Sequence, residues 1–393
     1  MEFHLHHAEL AASSCGSLVP TIGGQQAFVP DPLPRQIDLN LEIVRQLVDA
    51  TGAVGRLAGV GETIQNPRLL IAPFLRREAV LASRIEGTQA SLSDVFRYEA
   101  TDLRGQGHVR HGDVEEVINY VRALEYGFDR VTQLPISVRL LNEVHTILLR
   151  DVRGSDRRPG ELRTTQVWIG PAGTPIEEAR YIPPPSNMLR DLLLDWECFA
   201  NEQSDLPTLI QCAMMHYQIE AIHPYLDGNG RMGRLLISLF LREKGILPTP
   251  LLYLSAYFER DRQRYYDELF RVSLTGNWEA WLMYFWEGVS EQAKDALNRA
   301  RTVRTLDGQN RQLLQDRCDT GNGFRLLDGL FDSPIMTVAL ATRLLGVTTA
   351  EARRVLDRLV DAGILKFDPE SWPRLYFAGD LIEAIEAPLV VEQ

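Results

Sequence analysis

The chain has 393 residues, a formal net charge of −12, 45% hydrophobic residues and 24% charged residues. That length suggests two or three domains, and the composition is that of a globular protein with a sizeable core, which excludes a disordered or membrane-embedded class. The acidic balance argues against broad binding to nucleic acid or anionic membranes, because such binding draws on release of counterions from phosphates.

The first residues, MEFHLHHAEL, have neither the basic region nor the apolar stretch of a signal peptide. The longest strongly apolar run, Leu235 to Leu241, is far short of the roughly 20 residues that cross a bilayer. Cytoplasmic residence is the expectation. His4, His6 and His7 lie at the terminus and are given no role, and Cys15, Cys198, Cys212 and Cys318 are scattered without a C-x-x-C pair. They read as reduced thiols, neither a zinc site nor a disulfide framework.

Residues 1 to about 35, rich in Gly, Ser and Pro, are predicted to form an extended arm. From Leu41 apolar residues recur at three and four, the helical spacing, and a second helix is predicted over 69–86 with Gly87 as its left-handed stop. Further helices are predicted at 113–127, 137–150, 186–201 and 207–221. Between two of these, TTQVWIGPAGTPIEEARYIPPP, residues 164–185, places β-branched and aromatic residues on both sides of a Pro and Gly turn and predicts a β-hairpin. A helix over 231–244 and a long helix through about Gln315 come next, then a break at 319–323. Beyond it, helices at 336–345 and 349–362 around Gly346, with the runs ILKFD and RLYFA, have the order of a winged helix-turn-helix.

The chemistry concentrates in HPYLDGNGRMGR, His223 to Arg234. The adjoining run LLISLFLREKG is apolar nearly all round and predicts a buried helix, so Gly228, Asn229 and Gly230 fall at its amino end. Outward N–H groups and the positive end of the helix dipole make that an anion site, and glycines let backbone approach phosphate closely. Arg231 and Arg234, three apart, can grip phosphate oxygens bidentately; Asp227 is a hard ligand suited to Mg²⁺; His223 can accept a proton from a hydroxyl. A helix cap with solvated arginines and a backbone-bonded histidine would account for any one of these residues. It does not account for the whole set in twelve positions.

The segment resembles the signature of the Fic family, His-Pro-Phe-x-Asp/Glu-Gly-Asn-Gly-Arg-x-x-Arg, with Tyr225 in place of Phe. PLPRQ, the helix at 69–86, VWIG and YLSAYF are similar to longer Fic proteins that carry an N-terminal extension and a C-terminal winged helix. The resemblance implies a mainly α fold: a Fic-associated region with an inhibitory helix at 1–100, a catalytic core with a hairpin flap at 101–290, and a linker helix with winged helix-turn-helix at 291–393. It implies a protein adenylyltransferase moving AMP from ATP to a Ser, Thr or Tyr hydroxyl. His223 would be the base, Asp227 the Mg²⁺ ligand, and Gly228, Asn229, Gly230, Arg231, Met232, Gly233 and Arg234 the ATP cradle. Ile169 and Gly170 of the flap and Tyr265 and Tyr266 would complete the nucleotide site, with a target protein docked along 164–185 by strand addition. Phosphorylating relatives carry Lys at the position of Gly228, so the glycine favours AMP transfer.

LASRIEGTQ resembles the inhibitory motif Ser/Thr-x-x-x-Glu-Gly/Asn, with Ala82 where Ser or Thr is expected. Glu86, at a helix carboxyl end where its charge is disfavoured, would compete with the γ-phosphate for Arg234. Removal of AMP from a target by the same site, self-modification and a homodimer stay open. DNA binding by 333–375 is the competing class: Arg353, Arg354 and Arg358 fall on the predicted recognition helix, but from Arg325 to Arg374 seven basic residues meet seven acidic ones. That balance favours packing or protein docking.

Overall fold

The computed structural model describes residues 10–63, 68–101, 111–171, 173–317 and 321–387. Helices dominate: α1 (Leu41–Thr63), α2 (Arg68–Ile85), α3 (Leu92–Thr101), α4 (His111–Arg130), α5 (Val138–Leu148), α6 (Leu189–Asn201), α7 (Thr208–Ile222) and α8 (Asn229–Glu243). They continue as α9 (Ser255–Arg260), α10 (Arg262–Thr275), α11 (Trp278–Asp316), α12 (Gly321–Asp332), α13 (Val338–Leu345), α14 (Thr349–Asp361) and α15 (Gly379–Glu386). The strands are β1 (Gly16–Pro20), β2 (Gln26–Pro30), β3 (Ile335–Met336), β4 (Lys366–Asp368) and β5 (Leu375–Phe377). No helix among the described residues is long and apolar enough to cross a membrane.

The described residues divide into two compact units. One is drawn from Met1–Gly55, Asn119–Pro248 and Leu252–Gln292, the other from Arg56–Ile118, Thr249–Leu251 and Ala293–Gln393. In the first, α7 is the centre. Nearly every residue of it is buried, as a helix with no polar face must be. Three indole N–H groups reach its carbonyls: Trp196 to Met215 at 3.2 Å, Trp281 to Ala213 at 2.9 Å and Trp286 to Leu209 at 3.2 Å. Each tryptophan thus buries its ring with its one donor satisfied.

In the second unit α2 packs on α12, and β3, β5 and β4 form a small antiparallel sheet in that order. α13 opens on Thr337, whose Oγ1 accepts from Leu340 N–H, and closes on Gly346 at φ +66, the conformation that lets a glycine end a helix. α14 comes at once, and the β4–β5 hairpin after it. Arg299 pairs with Asp295 at 2.8 Å and donates to the carbonyls of Ala384, Ile385 and Ala387, closing the end of α15.

Three expectations are corrected. The N-terminal segment is no extended arm: β1 and β2 pair from Gly16 opposite Pro30 to Pro20 opposite Gln26. Thr21 N–H bonds to Gln25 C=O at 2.8 Å and Gly24 takes φ +87, so the TIGGQ turn supplies the reversal that composition obscured. Residues 164–185 make a single antiparallel bridge, Ile169 with Tyr181, in place of a laddered hairpin. Pro171, Pro175 and the short helical turn Ile176–Glu178 lie between the arms, and proline cannot donate to a ladder. The break at 319–323 is shorter than expected: Gly321 already opens α12, while Cys318, Asp319 and Thr320, like His4, His6 and His7, lie outside the described residues.

Candidate functional site

α7 ends at His223, whose backbone turns left-handed at φ 50 and ψ 63 while its N–H bonds to Ile219 C=O at 3.0 Å. A side-chain-bearing residue there costs about 1–2 kcal/mol, so the turn needs outside support. Arg163 supplies it: Nε donates to His223 C=O at 2.8 Å. The His223 Nδ1 lies 3.3 Å from Glu220 C=O. A carbonyl only accepts, so Nδ1 carries the proton and the lone pair of the neutral ring falls on Nε2.

Gly228 caps α8 at φ +78, and a Cβ there would sit 3.4 Å from His145 Nε2 and Leu149 Cδ2. The first bond of the helix runs from Met232 N–H to Gly228 C=O at 2.9 Å, so the amides ahead of it point out of the helix end. Asn229 spends its side chain on the loop, accepting from Tyr225 N–H at 2.8 Å and donating to Tyr225 C=O at 2.9 Å. Arg231 and Arg234 are 1% and 2% exposed, unusual for guanidinium groups. Met232 is buried in the core, and Gly233 leaves room for α7, since a Cβ would fall 2.2 Å from Glu220 Oε1. These two positions serve the packing of α8, which the motif alone did not reveal.

Two histidines outside the motif brace it. His145 accepts Gly160 N–H at Nδ1, 2.8 Å, so its proton is on Nε2, which donates to Asp227 C=O at 2.9 Å. Its ring stacks on Tyr225 at 3.8 Å and 11°. The Tyr225 hydroxyl, the departure from the expected Phe, donates to Asn142 Oδ1 at 2.8 Å. Tyr225→Phe is therefore expected to cost about 0.5–1.5 kcal/mol in urea unfolding, the net worth of a hydrogen bond. An unchanged midpoint would mean that water replaces the hydroxyl without loss.

His216 lies under α8. Its Nδ1 meets Gly233 C=O at 3.0 Å and so donates, and its Nε2 accepts from the Tyr265 hydroxyl at 2.9 Å. Tyr265 is wholly buried on this contact, while Tyr266 beside it, ring centroids 5.3 Å apart, is exposed. Burial lowers His145 to about 4 and His216 to about 3, from the ordinary value near 6.5. The unfolded chain then takes up protons first: the stability held above pH ~6.5 falls as pH drops through that value toward the folded ones, by about 1.4 kcal/mol per pH unit and group. Urea midpoints at pH 7.5 and pH 5 are expected to show this loss. A His216→Gln variant that declines as steeply as wild type would remove His216 from the account.

The flap is fastened at its base. Ile169 and Tyr181 exchange N–H to C=O bonds of 2.8 and 3.3 Å, and the Tyr181 hydroxyl donates to Ala221 C=O at 3.0 Å in the last turn of α7. Trp168, Ile169 and Gly170 are exposed. Asp227 is partly exposed; its Oδ1 accepts Gly228 N–H at 2.6 Å and lies 3.6 Å from Arg231 Nη2. A single carboxylate of this kind suits Mg²⁺, which binds through one or two carboxylates, waters and substrate phosphates. Among the described residues no group of three or more His, Cys, Asp or Glu could hold a metal by itself. In the other unit, Glu86 stands just past the end of α2 and Gly87 takes φ +94, the predicted left-handed stop. Ala82 is fully buried.

Sequence reasoning singled out His223 and the motif; it passed over Arg163, His145, Asn142 and His216. Arg163, His145 and His216 are polar and buried and Asn142 is polar and half-buried, a signal that requires the fold to be known.

Residues 44–129 match the family model described as Fic/DOC family N-terminal, and residues 135–241 the one described as Fic/DOC family. Over 196 residues, 47% of this chain and 34% of the other, the sequence is 30% identical to a protein adenylyltransferase Fic of Culex quinquefasciatus. It is 30% identical over 142 residues, 31% of this chain and 26% of the other, to a protein adenylyltransferase fic-1 of Caenorhabditis briggsae. The chain thus spans only about a third or a quarter of the length of these relatives. The fold is similar to that of a Fic family protein from Desulfovibrio desulfuricans G20, with TM-score 0.56, 20% identity and coverage of 87% of this chain and 97% of that one.

Proposed function

We propose, from the match of residues 44–129 and 135–241 to the two Fic/DOC family models, that the chain is a protein adenylyltransferase, moving AMP from ATP to a Ser, Thr or Tyr hydroxyl of a protein. The observation that carries this reading is the join of His223, held in a left-handed turn, to a helix amino end bearing Gly228 and two buried arginines. A base beside a phosphate cradle is what nucleotidyl transfer needs.

In the reaction His223 Nε2 takes the hydroxyl proton as the hydroxyl oxygen forms its bond to the α-phosphorus. The bond to the bridging oxygen breaks, and the β- and γ-phosphates leave as pyrophosphate. The amide end of α8, with Arg231 and Arg234, stabilises the charge on the leaving group. Asp227 would hold Mg²⁺, which when bound adds further neutralisation of the phosphates. The exposed stretch Trp168–Gly170 would receive the target chain by strand addition, setting its hydroxyl before His223.

Glu86 would act as a brake on transfer, and the same site could remove AMP when Glu86 orients water instead. For the C-terminal helices and hairpin, protein docking or packing is favoured over DNA: Arg354 lies 3.1 Å from Glu351 and Arg353 3.9 Å from Asp357, so both guanidinium charges have local carboxylates. Incubation with ATP labelled at the α- or the γ-phosphate, with mass spectrometry of the chain and of lysate proteins, tests the reading. Label transferred only from the γ-phosphate would overturn it.

A further inference from the structure

Arg163 is 2% exposed and lies in the irregular segment that leads into the flap. Burial lowers its guanidinium to about 10, which still leaves a cation at neutral pH. Every partner it has in these contacts is a main-chain carbonyl. Its backbone N–H donates to Pro224 at 2.9 Å, Nε to His223 at 2.8 Å and Nη2 to Ile222 at 3.4 Å, three consecutive residues at the end of α7. The same Nη2 donates to Pro184 at 2.5 Å and Nη1 to Thr165 at 3.3 Å, one carbonyl on each arm of the flap.

A helix carboxyl end gathers orphan carbonyls and the negative pole of the dipole, where a buried cation is best compensated. The planar fork of arginine can address several acceptors in fixed directions; an ammonium cannot. One residue therefore ties three strips of chain that share no ladder: 165, 184 and 222–224. The Ile169–Tyr181 bridge joins the two arms to each other and the Tyr181 hydroxyl reaches Ala221 C=O, whereas the contacts of Arg163 reach the His223 turn itself.

We propose that Arg163 is the positioning residue that locks the target-receiving flap and the His223 turn into one geometry, so that an acceptor hydroxyl laid on the flap meets His223 Nε2. This rests on the reading of His223 as base and of the flap as target site. Arg163 touches neither nucleotide nor acceptor; its effect runs through the carbonyls it holds.

The test compares the full chain with R163Q and R163K, the latter keeping the buried cation if R163Q fails to fold. Amide hydrogen exchange is expected to quicken at least ~10-fold both in 163–170 with 180–187 and in 222–227, while α8, residues 229–243, stays within about threefold, since local opening is read directly by exchange. In transfer from α-labelled ATP to the protein acceptors found by mass spectrometry, R163K should lower kcat on the order of 100-fold, the cost of roughly an ångström of misplacement, with KM for ATP within about threefold. Faster exchange in only one of the two regions, in neither, or equally through α8 overturns the lock, as does a raised KM for ATP with kcat kept. If the wild type transfers no AMP, the catalytic reading fails, and the exchange experiment still decides whether Arg163 couples flap and turn.

Discussion

His223→Ala is expected to reduce AMP transfer below detection while leaving nucleotide binding in place. General base catalysis contributes about 10²- to 10⁴-fold, and in the proposed reaction the imidazole at the end of α7 is the proton acceptor. The cradle on α8 is built from other residues and other hydrogen bonds, so ATP should still bind. Alanine is less suited than histidine to φ 50, and a modest stability loss should accompany the change. His223→Asn, whose side chain tolerates the left-handed region, separates the two effects: it should restore the melting temperature without restoring transfer. The readout is label from α-labelled ATP on protein, beside affinity for a fluorescent ATP analogue. Wild-type labelling by either variant would take His223 out of the mechanism.

Glu86→Gly is expected to act in the opposite direction, raising transfer on the order of ten- to a hundredfold. A charge-assisted hydrogen bond is worth about 1.5–3 kcal/mol, and releasing a restraint of that size shifts an equilibrium by about that factor. The fold should tolerate the change. Glu86 stands past the last turn of α2, where a carboxylate opposes the helix dipole by about 0.3–1 kcal/mol, and glycine beside Gly87 adds little strain in a segment already outside the helix. Ala82, where the inhibitory motif has a hydroxyl residue, is buried without one, so Ala82→Ser is the companion variant that asks whether the missing hydroxyl weakens the brake. Equal labelling by wild type and the Glu86 variant would leave Glu86 without a regulatory role.

Both predictions start from residues legible in the linear chain, because local rules carry them. α2 and α8 arise from apolar spacing and from glycines at helix ends, α7 from a run apolar on every side, and the ends fall within a few residues of the expected positions. Gly346 was legible for the same reason: backbone conformation at a stop is a property of a few neighbouring residues. Where proline and glycine served two purposes, local rules failed. In 16–30 the turn signal was submerged in general Gly, Ser and Pro content, and a true hairpin was missed. In 164–185 the same composition suggested a ladder where one bridge stands.

The sequence by itself determined the helical frame and the dense motif from His223 to Arg234, since periodicity, capping and motif spacing act over a few residues. Only the tertiary structure decided how that motif is held. Asn142, His145, Arg163 and His216 are, in the chain, single polar residues among many; their roles come from distant partners, 83 positions away in Tyr225, 82 in Asp227, 60 in His223 and 49 in Tyr265 respectively. A buried polar group must find its hydrogen bonds somewhere, and which group it finds is settled by the packing of distant segments.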